Sequence, residues 1–229
     1  MAEIYGIDET FAMNAEIEEL ESERQTLIGI YLDSSGSMDC YESVMLKALK
    51  NVKSAFQNSK ECDEMLVSIT TFSSTIAPGG YQLVEDMRED YQAYGCTKLY
   101  DCIVEGQKRL MDGNGGGYME KLQANGVKAK AMIAIFSDGK DNDSNSTLND
   151  ARHAIEFYHS REIPVFFIEF GAEAHGIATK LGIKEENILA SDATESALRK
   201  AFMFVSKSAI SYSKSAGAIT SMGSNAFEV

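Results

Sequence analysis

The sequence predicts an α/β fold: a doubly wound, mostly parallel sheet with a short antiparallel edge strand and helices on both faces. Three observations carry that expectation. TLIGIYL (26–32), AMIAIF (131–136) and PVFFIEF (164–170) are nearly continuous apolar runs of strand length, as strands buried on both faces require. Between such runs lie segments whose apolar residues recur every three or four positions, the period of a helix. Small oxygen-bearing residues gather just after the strands, where an open sheet places its crevice.

Taken in order, residues 8–24 open on Asp8 and put Met13, Ile17 and Leu20 at helical spacing, with five glutamates between residues 16 and 23. This reads as an acidic amphipathic helix resting on the main domain. The strand 26–32 follows, then a helix striped by Met45, Leu49, Val52 and Phe56. MLVSITTF (65–72) is the next strand, and TIAPGGYQLV (75–84) sets a Pro-Gly-Gly turn beside a short edge strand. A helix carries Leu99, Ile103, Gly106 and Leu110 on one face, and DGNGGG (112–117) reads as a flexible insertion. That loop lacks the Lys-Ser/Thr pair of a phosphate-binding loop. After the strand 131–136 comes a helix with Leu148, Ala151, Ile155 and Tyr158. The strand 164–170, a short helix within 173–181, a strand at NILA (187–190) and a helix with Leu198, Phe202, Val205 and Ala209 complete the pattern. The expected organisation is an acidic extension (1–25), one domain (26–210) and a Ser/Ala/Gly-rich tail (211–229).

Composition narrows the class. A chain of 229 residues that is 44% hydrophobic can bury one sizeable core. The formal net charge of −14 argues against a general nucleic-acid footprint. No apolar stretch reaches the roughly 20 residues that span a bilayer, and the N-terminus lacks a basic region followed by an apolar one. No membrane contact is therefore expected. Cys40, Cys62, Cys96 and Cys102 form no CxxC pair, which suits reduced thiols and a cytoplasmic setting. His153, His159 and His175 form no ligand pair at helical spacing.

Three polar clusters fall on the same edge of this Rossmann-like sheet. Asp33, Ser35 and Ser37 follow the first strand in YLDSSGSMDC. Thr97 precedes a helix in AYGCTKLYD, and Asp138 ends a strand in FSDGKDN. Two carboxylates and three hydroxyls are hard donors, matched to Mg²⁺ or Mn²⁺ and poorly matched to zinc or copper. Gly36 and Gly139 are read as the tight turns that aim them. Asp39, Asp141 and Asp143 are read as solvated loop charges in preference to a second cation site.

DSSGSM resembles the Asp-x-Ser-x-Ser signature of von Willebrand factor type A domains, and the later Thr97 and Ser137-Asp138-Gly139 follow that family's order. Cys96 stands where a glycine is common. The resemblance spans roughly residues 26–209 and implies a metal-ion-dependent adhesion site. It implies Ser35, Ser37 and Thr97 as hydroxyl ligands, with Asp33 and Asp138 binding the ion directly or through water. It further implies a non-enzymatic module whose metal is completed by an Asp or Glu of a partner protein. Within the family, the chain is similar to intracellular bacterial tellurite-resistance and stress-type proteins. The alternative is a Mg²⁺-dependent phosphoester hydrolase with Asp33 as nucleophile. Against it, Ser35 stands where such phosphatases carry a second aspartate.

Overall fold

The computed structural model describes residues 14–17, 20, 23–60, 64–170, 176–191 and 194–214. In chain order the elements are β1 (Arg24–Asp33), α1 (Glu42–Gln57), β2 (Met65–Phe72), β3 (Ile76–Ala77), β4 (Gln82–Leu83), α2 (Leu99–Leu110) and α3 (Tyr118–Ala124). Then come β5 (Lys128–Ser137), α4 (Leu148–Ser160), β6 (Val165–Phe170), α5 (Ile177–Lys180), β7 (Ile188–Ser191) and α6 (Glu195–Lys214). The sheet runs β3-β2-β1-β5-β6-β7, with β4 also paired to β2. All pairs are parallel except β2 with β3 and with β4. This is the expected doubly wound sheet.

The alternation of side chains along each strand explains the continuous apolar runs. Ile28, Ile30 and Leu32 of β1 join α1 and α6 in one core, while Leu27 and Tyr31 face α2 and α4 in the other. β5 repeats the division, with Met132, Ala134 and Phe136 on the first side and Ala131, Ile133 and Ile135 on the second. Helices on both faces leave neither side of a central strand to water, so every position must be apolar or small. Phe136 is the hinge of the first core. Its ring stacks on Phe202 of α6 at 4.2 Å and lies 6.3 Å from Phe170. On the second face, α2 approaches β1 closely at Gly106, where a Cβ would meet the Tyr31 hydroxyl at 2.2 Å.

Several expectations change. Met13 and most of the predicted 8–24 helix lie outside the described residues. Within that segment Asn14–Glu16 are not helical. Instead Ala15 N donates to Tyr81 O at 2.7 Å and Tyr81 N donates to Asn14 Oδ1 at 2.8 Å, an extended pairing along the edge turn. The periodicity of apolar residues did not reveal that unpaired backbone nearby would capture the segment. The domain also extends past its expected limits. β1 starts at Arg24, and α6 continues to Lys214 with Tyr212 and Ser213 buried. Ser213 Oγ accepts a hydrogen bond from Thr26 Oγ1 at 3.2 Å, so residues 211–214 belong to the helix. The rest of the tail lies outside the described residues, as do Cys62 and His175.

The glycine-rich loop is held rather than loose. Asp112 Oδ1 accepts from Asn114 N and Gly116 N at 2.7 and 3.0 Å. The Glu120 carboxylate accepts from Asp112 N, Gly113 N and Gly117 N at 3.0–3.1 Å. The loop's N–H groups thus take carboxylates of the chain itself, which answers the backbone need that a phosphate would otherwise fill. Among the described residues no helix is long and apolar enough to cross a membrane.

Because α6 is anchored through Phe202, truncating it should be costly. Phe202→Ala should lose about 3–5 kcal/mol of unfolding free energy by urea denaturation, with Phe136 left facing a cavity. A loss within experimental error would mean that α6 packs elsewhere in solution.

Candidate metal centre

β1 lies between β2 and β5, and the chain leaves β1 toward β2 but β5 toward β6, at opposite edges of the sheet, so the crevice opens at the carboxyl ends of β1 and β5. Asp33 is the last residue of β1 and has no exposed surface. Its side chain is pinned at both oxygens. Oδ1 accepts from Ser35 N at 2.9 Å and Oδ2 accepts from Ser137 Oγ at 2.6 Å. Its carbonyl accepts from the Tyr91 hydroxyl at 2.5 Å. Burial lifts the Asp33 carboxyl to about 6, against the downward pull of the Ser137 and Ser35 bonds. Asp138, half-buried just after β5, adds a further upward push.

The hydroxyls sit beside this carboxylate. Ser35 and Thr97 are buried, whereas Ser37 is exposed, so the cluster opens to solvent on one side. Ser35 Oγ and Ser37 Oγ stand 3.1 Å apart in the single 3-10 turn Gly36–Tyr41 that leads into α1. The Thr97 loop is sewn to this turn by main chain, through Tyr94 N to Ser34 O at 2.7 Å and Gly36 N to Gly95 O at 3.0 Å. On its far side Thr97 N donates to Asn142 Oδ1 at 2.8 Å, and Thr97 O accepts from Asn142 N and Asp143 N at 3.1 Å. The first two predicted clusters are therefore bonded directly. The Asp138 loop reaches both, through Ser137 and through Asn142.

The turns follow partly different glycines from those expected. Gly139 takes φ +78°, but Gly36 is not left-handed. The strained position is Gly95, with φ +73° and a Cβ direction that would meet Ser74 Oγ at 2.4 Å. Its neighbour Cys96 needs no such freedom and donates its N–H to the same Ser74 Oγ at 2.8 Å. The glycine that the family pattern suggests at 96 is thus supplied one residue earlier.

Asp141 and Asp143 are not idle loop charges. Asp141 Oδ1 accepts from Tyr100 N at 3.2 Å at the start of α2, and Asp143 pairs with Lys98 at 3.5 Å. Sequence reading missed Ser137 as a partner of Asp33, and missed Tyr91, Asn142 and Asp101. The Asp101 carboxylate accepts from Asn145 N and Ser146 N at 2.9 and 2.7 Å, closing the 141–146 loop onto α2. Ser137 had one legible signal, its place beside Asp138 at a strand end. The others act through contacts more than 40 residues away in the chain.

Chemically, the centre collects oxygen donors around a buried carboxylate whose acting charged neighbour, Asp138, has the same sign. A carboxylate removed from water costs several kcal/mol unless opposed by positive charge. The closest basic candidate by sequence, Lys98, is engaged by Asp101 and Asp143. A hard divalent cation fits this donor set and its charge. Among the described residues no group of three or more His, Cys, Asp and Glu could hold a metal, so any such site depends on its hydroxyls.

Two outcomes follow. The raised Asp33 pKa means that ionisation destabilises the metal-free fold as pH climbs from the unfolded value near 4 to about 6. A cation requires the ionised form, so Mn²⁺ affinity by calorimetry should fall roughly tenfold per pH unit below about 6 and level off above it. A pH-independent affinity across that window would count against Asp33. Asn142→Ala should weaken Mn²⁺ binding by up to about tenfold, the worth of one part-buried hydrogen bond that fixes the Thr97 loop.

No protein-family model matches the sequence, and no curated protein sequence matches it. Solved structures do. The pilus adhesin SpaC of Lactobacillus rhamnosus GG superposes with a TM-score of 0.62 at 13% identity over 82% of this chain and 30% of that one. Proximal thread matrix protein 1 from the mussel byssus, solved with a zinc-occupied MIDAS motif, gives 0.58 at 15% identity over 82% and 46%. The vWF domain of the type V pili tip protein Mfa5 of Porphyromonas gingivalis gives 0.61 at 9% identity over 86% and 98%. The chain thus spans under half the length of the first two. These likenesses agree with the strand order and the helices on both faces: the chain has the von Willebrand factor type A fold.

Proposed function

We propose that this chain is a metal-dependent protein-binding module, in which Asp33, Ser35, Ser37, Thr97 and Asp138 hold Mg²⁺ or Mn²⁺. The observation that carries the reading is the dry Asp33 carboxylate, pushed up by burial and by Asp138 and surrounded by hydroxyls. A neighbour of the same fold has its MIDAS motif occupied by zinc, which supports a divalent ion at the corresponding place. A bound cation would supply an electrophilic position open to an outside carboxylate, since hydroxyl ligands neutralise little of its charge. The chain's own residues fix everything else. Ser137 and the Ser35 N–H hold Asp33 in one orientation, and Asn142 holds the Thr97 loop against the mouth.

The partner inferred is a protein that offers an Asp or Glu, rather than a nucleic acid or a membrane. The setting inferred is cytoplasmic, consistent with exposed thiols at Cys40 and Cys96, which a reducing compartment preserves. A place in a bacterial stress or tellurite-resistance system rests on sequence resemblance alone. The hydrolase alternative gains no support from the geometry. Lys98 is turned to Asp101 and Asp143 instead of a transferring phosphoryl group, and Ser35 stands where a second aspartate would be needed.

Calorimetry with Mn²⁺ tests the assignment. Ser37→Ala and Asp138→Ala should each weaken binding about tenfold or more while urea midpoints stay near wild type. Equal affinity in all three proteins would overturn the ligand set. A captured partner should dissociate in EDTA, and truncating its carboxylate should cost about 2–5 kcal/mol. With a net charge of −14 on this chain, association with an acidic partner should speed up as salt is added.

A further inference from the structure

A second cavity, of about 190 Å³, lies on the α2/α3 side of the sheet between β1, β2 and the turn at Gly79–Tyr81. Tyr31, Ser68, Thr70, Tyr81, Arg109 and Lys121 contribute to its wall, and no aspartate or glutamate does so among the described residues. That composition is unusual in a chain with 35 acidic and 21 basic side chains. The cavity lies on the α2 face of the sheet, whereas the metal centre lies at the strands' carboxyl ends, although both draw on β1, through Tyr31 and Asp33.

Two glycines make room for its deepest groups. A Cβ at Gly106 would strike the Tyr31 hydroxyl at 2.2 Å, and one at Gly29 would approach the Tyr81 hydroxyl at 3.2 Å. A larger residue at Gly106 would displace the Tyr31 phenol, and one at Gly29 would first press on Ile133 Cδ1 at 2.7 Å. The hydroxyls have protons to give. Tyr31 and Tyr158 share one hydrogen bond of 3.1 Å, which uses one of their two protons. Thr70 Oγ1 accepts from Gly79 N at 3.3 Å, which leaves its own proton outside that bond. Burial raises Tyr81 well above the usual phenol range, so it stays a neutral donor. Ser68 is different, since its hydroxyl donates to Gly79 O at 2.9 Å.

Positive charge stands at the mouth. Arg109 Nε pairs with Glu105 at 2.9 Å, and the terminal nitrogens of the guanidinium lie outside that bond. Donors inside and two basic groups at the entrance, Arg109 and Lys121, against the single Glu105 carboxylate held on Arg109 Nε, favour an acceptor carrying negative charge. The volume suits an ion of phosphate size with its nearest waters.

The geometry points to a binding site for a small oxyanion, a phosphate or a small carboxylate, held by Arg109 with the Thr70 and Tyr81 hydroxyls. The site is independent of the metal reading. Inorganic phosphate is the probe, titrated by calorimetry into the full chain in EDTA at constant ionic strength, so that no metal can contribute. One saturable site is expected, accompanied by a rise in melting temperature. Arg109→Gln should weaken it about tenfold or more and Tyr81→Phe by about fivefold, because each removes a donor without a change in packing volume at the core. Lys207→Gln, on α6 across the sheet, should leave it unchanged and exclude a general charge effect. Acetate titrated in the same way separates the carboxylate class from phosphate. Saturable binding of either ion with loss in Arg109→Gln upholds the site. Absence of saturable binding by both, equal affinity in Arg109→Gln, or equal binding of neutral glucose would overturn it.

Discussion

The structure turns on one unfavourable burial. Asp33 ends the central strand, has no exposed surface, and the charge that acts on it is that of Asp138 and not of a basic side chain. Such a group raises the energy of the folded chain, and hydrogen bonds from Ser35 N and Ser137 Oγ offset only part of that cost. Core packing carries the remainder. The two apolar layers that enclose β1 and β5 are continuous along both strands, with Phe136 stacked on Phe202 behind the carboxylate's own strand neighbours. The fold therefore stores, at the mouth of its sheet, an electrostatic demand that a cation would answer.

Orientation around Asp33 comes from main chain more than from side chains. Ser34 and Gly36 exchange backbone bonds with Tyr94 and Gly95, and Thr97 exchanges them with Asn142 and Asp143. Asp101 then ties the 141–146 loop to the first turn of α2. Loops joined in this way move together, because breaking one link exposes paired N–H and C=O groups at the others. Hydroxyl groups separated by more than 60 residues in sequence can then hold fixed positions without a helix or strand of their own. The Lys98–Asp143 pair is half-exposed on the acidic side and screened by solvent, so it adds direction more than stability.

Much of this was legible in the residues, for physical reasons. Strands covered on both faces must be apolar throughout, so TLIGIYL and AMIAIF announced the parallel sheet, and hydroxyls and carboxylates at strand ends marked the crevice. What escaped were groups defined by partners far along the chain. Nothing adjacent to Asn142 shows that its amide meets Thr97, and nothing near Asn14 shows that it lies along Tyr81. The glycine-rich loop misled because glycine signals freedom, whereas Asp112 and Glu120 supply the acceptors that hold it. Gly95 in place of a glycine at 96 illustrates the same point. Local chemistry fixes that a turn exists, and the Ser74 contact decides which residue bears the positive φ.

The central claim is that the buried carboxylate and its hydroxyl neighbours form one cation site. Anomalous diffraction from a Mn²⁺-soaked crystal tests it most directly, since the metal's position is read without assumption about ligands. The account predicts a single strong peak enclosed by Asp33, Ser35, Ser37, Thr97 and Asp138, at oxygen distances of about 2.0–2.3 Å. A peak elsewhere on the acidic surface, with none at Asp33, would contradict it.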